Sequence, residues 1–87
     1  MSTHVNSPYM INTLFTLGEN IKKYRLALDL SQEELADKCG FDRTYISMLE
    51  RGKRNPSLIN LIRLAEGLGI NIAKLTHGCE NGFKPRK

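Results

Sequence analysis

The chain is poor in cysteine. It has two, Cys39 and Cys79, and neither a CxxC pair nor a Cys/His cluster. That argues against a disulfide framework and against the usual zinc-ligand spacings, and it fits a reducing compartment. His4 and His77 lie near opposite ends without partners at ligand spacing. No apolar run approaches the roughly 20 residues that a membrane span needs. The opening MSTHVNSPYMINTLF has no basic segment followed by an apolar one, so no secretory signal is expected and the cytoplasm is the default compartment. No long Ser/Gly linker, internal repeat or strand-like alternation is found. Paired carboxylates, a nucleophile–base set and a glycine-rich phosphate loop are missing too, so no enzyme and no cofactor is expected.

What is present is 87 residues, enough for one small domain with a modest core. A ligand-sensing domain, if there is one, is expected on another chain. The net charge of +4 and pI of about 9.3 suit an anionic partner such as nucleic acid, although many small proteins share that balance.

Residues 1–16 read as a polar arm interrupted by Pro8, either a partly ordered leader or a segment that packs on the domain or a partner. Five helices are expected over residues 17–77. The first covers about Leu17 to Leu28, with Leu17, Ile21, Tyr24 and Leu28 at helical spacing and Asp29 ending the pattern. The second starts at Ser31, where SQEE matches a capping box, and stops at Gly40, which tolerates a left-handed backbone. Asp42 is a good N-cap for the third, which ends near Gly52. The fourth runs from Pro56 or Ser57 to Leu68, and a short fifth, capped by Asn71, covers Ile72 to Thr76. Residues 78–87 read as a frayed, basic, polar tail containing Cys79. The fold class is all-α.

The third helix carries the chemistry. At about 100° per residue, Arg43, Thr44, Ser47, Met48 and Arg51 fall within an arc of about 140°, while Asp42, Tyr45, Ile46 and Leu49 fall opposite. One side suits a core. The other offers a guanidinium fork, two hydroxyls and an apolar tip, which match the groups on base edges in a DNA major groove. Taken alone, such a face also fits an ordinary solvated helix. Its surroundings add to it. A tight Gly turn joins it to the second helix, as in a helix-turn-helix unit. RGKR, residues 51–54, follows as a basic loop able to neutralise phosphates. Gln32, at the start of the second helix, is either a phosphate anchor or a solvated side chain.

LSQEELADKCGFDRTYISMLERGKRNPSLINLIRLAEGLGI, residues 30–70, resembles the lambda-repressor/Cro (XRE) type of helix-turn-helix domain, and the resemblance extends over residues 18–77. DRTYISMLERGKRNPS is also similar to the small controller proteins of restriction–modification systems. The resemblance implies a compact five-helix domain whose third helix lies in the major groove of double-stranded DNA. Arg43, Thr44, Ser47 and Met48 would read bases. Gln32, Tyr45, Arg51, Lys53, Arg54 and Asn55 would hold phosphates. Arg25 and Glu50 would form an ion pair tying the third helix to the scaffold. The implied core is Ile21, Leu35, Ala36, Ile46, Leu49, Leu61, Leu64, Ala65, Leu68 and Leu75.

One short helix reads few base pairs, so a homodimer on a palindromic or repeated operator is expected, with half-sites about 34 Å apart. The expected dimer surface is the fifth-helix region, with Ile59, Ile70, Ile72 and Leu75, and with the arm and Phe83 adding to it. The alternative is an antitoxin-type autorepressor that holds a partner protein through the arm or the tail.

Overall fold

The computed structural model describes residues 8–82, with burial and contacts for residues 12–81. Five α-helices account for most of them: α1 Pro8–Ala27, α2 Gln32–Cys39, α3 Arg43–Glu50, α4 Leu58–Leu68 and α5 Ile72–Leu75. A 3₁₀ turn, Cys79–Gly82, follows, and no strand occurs among the described residues. The fold is all-helical, as the sequence predicts.

Helices as short as α2 and α3 are unstable alone in water, so their caps and packing must hold them. The Ser31 capping box is complete. The Glu34 amide donates to Ser31 Oγ at 3.0 Å, and the Ser31 amide donates to Glu34 Oε1 at 2.8 Å. Gly40 takes φ 76°, and its amide reaches back to the Ala36 and Asp37 carbonyls. Asp42 occupies the N-cap position of α3 in an extended conformation, but its side chain makes no capping bond. Ser57 and Asn71 cap α4 and α5 through the amides of Asn60 and Lys74.

Ile21, Leu35, Ile46, Leu49, Leu64 and Leu75 are fully buried at the centre, with Leu17, Ala36, Cys39, Ala65 and Leu68 around them. Each large aliphatic side chain so placed contributes about 1.5–3 kcal/mol relative to exposure. Leu61 is only partly buried but packs against this cluster.

Four expectations need correction. First, α1 begins at Pro8 rather than at about Leu17, so residues 8–16 are helical, and of the two expectations for the arm, packing on the domain holds for Thr13 and Leu14. The cause is long-range: Leu14 is buried, and Thr13 Oγ1 donates to the Cys79 carbonyl at 2.9 Å. Second, Cys79 is buried and joins the core instead of fraying. Burial pushes its thiol above the ordinary range, with Glu80 adding to the shift. Cys39 is raised by burial too, against an opposing pull from Arg63 and Lys38. Third, Leu28 is 48% exposed, beyond the end of the helix at Ala27; Leu14, Leu17, Ile21 and Arg25 face inward, and Tyr24 packs half-buried against the core as expected. Fourth, Leu75 is fully buried within its own chain and has no surface to offer a second copy. Residues 1–7 of the arm, and Phe83 with the rest of the tail, lie outside the described residues.

α1 crosses the end of α3 at Gly18. A Cβ there would sit 2.5 Å from the Leu49 carbonyl oxygen and 2.6 Å from that of Glu50. Alanine in place of a helical glycine usually gains up to about 1 kcal/mol. Forcing two backbones apart costs about 1–3 kcal/mol. The second effect should win, so Gly18→Ala is expected to lower the urea midpoint at unchanged m-value. A midpoint at or above that of the parent would show that α1 can shift freely on α3.

Candidate nucleic-acid interface

The two ends of the helix-turn-helix are tied together by one carboxylate. Arg25 on α1 donates to Glu50, the last residue of α3, through Nε to Oε2 at 2.6 Å and Nη2 to Oε1 at 3.0 Å. This is a two-pronged guanidinium–carboxylate pair. Its side chains are only 9% and 4% exposed, so water screens it little. Arg25 Nη1 also donates to the Leu30 carbonyl at 2.8 Å, fixing the loop that enters α2. Gln32 Nε2 donates to Glu50 Oε1 at 3.1 Å. Glu50 therefore locks the start of α2 and the end of α3 to α1. Among the described residues, no buried side-chain nitrogen or oxygen lacks a hydrogen-bond partner.

Held this way, α3 buries Ile46, Leu49 and Glu50 and turns its other side outward. Arg43 and Thr44 are exposed, while Ser47 and Met48 are half-buried beside them. The four predicted base readers thus share one accessible face of α3, running from its start after the Gly40 turn to Met48. Arg51, Lys53, Arg54 and Asn55 are exposed in the segment after α3. Arg51 folds back, its Nε donating to the Ser47 carbonyl at 3.3 Å, which leaves its terminal nitrogens for an anion. Gln32 spends one amide hydrogen on Glu50, so it belongs to the scaffold network and has one hydrogen left for a phosphate.

Tyr45 is more embedded than a simple phosphate contact. Its hydroxyl accepts from Asn60 Nδ2 at 3.0 Å, its ring meets Phe41 edge-on, and the Arg54 guanidinium lies 4.9 Å from the ring centre. Sequence reading missed Asn60, Phe41 and Arg63. Arg63 on α4 donates from Nη2 to the Gly40 carbonyl at 3.0 Å and stacks 4.5 Å over Phe41. No local pattern marks Arg63, because its partners lie more than twenty positions away across the fold. Together these residues border an open hollow of about 590 Å³ that Thr44 and Met48 also line. The predicted dimer residues separate: Ile59 is 65% exposed, Ile70 and Ile72 are half-buried against the core, and Leu75 is inside. Leu58 and Ile62 extend the exposed apolar surface around Ile59 on α4.

Comparison with known proteins agrees with this geometry. A family model described as helix-turn-helix matches residues 21–75. Control protein C.MunI of a Mycoplasma species is 49% identical over 59 residues, covering 67% of this chain and 80% of that protein. The restriction-modification controller protein C.AhdI from Aeromonas hydrophila superposes with a TM-score of 0.70 at 44% identity, over 71% of this chain and 94% of that one. The controller C.Esp1396I, solved as a tetramer on its natural 35-base-pair operator, superposes with a TM-score of 0.69 at 34% identity, over 80% of this chain and 92% of that one. Motif, fold and relatives coincide, and the chain belongs to the lambda-repressor/Cro-like, XRE-type helix-turn-helix family.

Proposed function

We propose that the protein is a sequence-specific DNA-binding transcriptional regulator of the restriction–modification controller kind, not an enzyme, working as a homodimer in the cytoplasm. The observation that carries this reading is the outward face of α3: Arg43, Thr44, Ser47 and Met48 on a rod whose far end is clamped by a buried ion pair. A reading helix needs that clamp, because base-edge hydrogen bonds discriminate only when donors are held in register. Lys53, Arg54 and Asn55 next to it supply sequence-independent attraction to phosphates. Leu58, Ile59 and Ile62, spread over about 100° of α4, form the surface best suited to a second copy. No helix among the described residues is long and apolar enough to cross a membrane. The alternative, a partner protein held by the arm (1–16) or the tail (78–87), draws on segments of which residues 1–7 and 83–87 lie outside the described residues.

Selection of bound duplexes from random DNA tests the proposal. Enrichment of two related half-sites about one helical turn, ~34 Å, apart is expected. Recovery of no shared sequence would overturn sequence-specific binding, and a lone half-site would overturn the dimer.

A further inference from the structure

The hollow beside α3 has an unusual lining. Two guanidinium groups lie over two aromatic rings that touch each other: Arg54 at 4.9 Å from the centre of Tyr45 and Arg63 at 4.5 Å from that of Phe41. Stacking restrains each guanidinium without consuming its N–H donors, so both remain able to grip an anion. Arg63 spends one Nη2 hydrogen on the Gly40 carbonyl, which leaves four of the guanidinium's five N–H donors. Asp42 also lines the hollow and is the opposing charge there, so the two arginines leave it one positive charge in excess. Because Thr44 and Met48 form part of the same wall, an anion in the hollow would sit directly alongside the base-reading face.

We infer that Arg63, seated on Phe41, is a further phosphate contact, extending the backbone track from Arg54 along the α3–α4 hollow to the Gly40 turn. This rests on the DNA-binding reading above. The ligand is a phosphodiester of the strand flanking the groove that α3 enters. The placement explains why a residue on α4, away from the basic loop, has its head drawn over the helix-turn-helix corner. It also couples grip to geometry, since the same guanidinium holds the carbonyl at the end of α2, where the helix dipole favours a cation.

The test uses the full chain and a short duplex of random sequence, so that no operator need be known. Affinity is measured across a salt series for the parent, Arg63→Gln and Arg63→Lys, with thermal denaturation of each. One lost phosphate contact should flatten the slope of log K against log salt by about 0.9 in Arg63→Gln. Arg63→Lys keeps the charge and should keep the slope, even where it loses thermal stability through the weaker stack and cap. If Arg63→Gln is folded, less stable and binds with the parent slope, Arg63 only braces the turn and the inference fails. If the parent shows no salt-dependent binding at all, the DNA-binding reading itself fails.

Discussion

Glu50→Gln should cost about 3–5 kcal/mol of folding stability, because it leaves the Arg25 guanidinium buried without its countercharge. In a domain of this size that is a fall in Tm on the order of 12–40 °C, enough to unfold a marginal protein near physiological temperature. An exposed pair would contribute at most about 1 kcal/mol, so the size of the drop decides between the two cases. The structure favours the larger value, since the side chains are 9% and 4% exposed and the contact is two-pronged. A paired change, Arg25→Met with Glu50→Leu, should recover much of the loss by removing both charges together. It should not recover DNA affinity fully, because the Leu30 and Gln32 bonds go with the pair. Differential scanning calorimetry of the three variants checks this. A Tm within a few degrees of the parent for Glu50→Gln would mean that the pair is solvated in solution.

The pair also shows how far the sequence reads. Arg25 and Glu50 are twenty-five positions apart, and nothing in local spacing joins them. Family resemblance supplied the pairing, and the structure supplied its burial, its bond to the loop before α2 and the inclusion of Gln32. By contrast, the capping box at Ser31 and the left-handed Gly40 are short-range features, legible because the groups that bond lie within four residues of each other. The reading of Asp42 shows the limit even there: the residue type marks the position correctly, while the expected side-chain bond is absent.

Arg43→Ala should weaken binding to the selected operator by about 1–3 kcal/mol, or about 5- to 150-fold, with the loss confined to particular base positions. Stability should barely change, since Arg43 is exposed and makes no described hydrogen bond. Lys53→Ala is the counterpart. It should weaken operator and random duplex alike and flatten the salt slope by about 0.9, as a lost phosphate contact does. The contrast is between a bidentate donor on a base edge and a point charge beside a phosphate. Titrating both variants against the selected operator, its single-base variants and random duplex separates the roles. Equal loss on every sequence for Arg43→Ala would remove it from the base readers, and a position-specific loss for Lys53→Ala would add that residue to them.

Sequence alone determined the helix-turn-helix itself. The caps at Ser31 and Asn71, the Gly40 turn and the two-sided pattern of α3 all depend on groups within one or two turns of each other, so composition and spacing suffice. Tertiary structure decided what lies opposite each of those groups. α1 reaches back to Pro8 because Leu14 is buried and Thr13 bonds the Cys79 carbonyl sixty-six positions later. Leu75 is spent on its own core, and Arg63 reaches the Gly40 carbonyl from α4. Helical spacing tells which side chains share a face, but the partner that covers the face depends on how the helices cross, and that crossing is set by long-range packing.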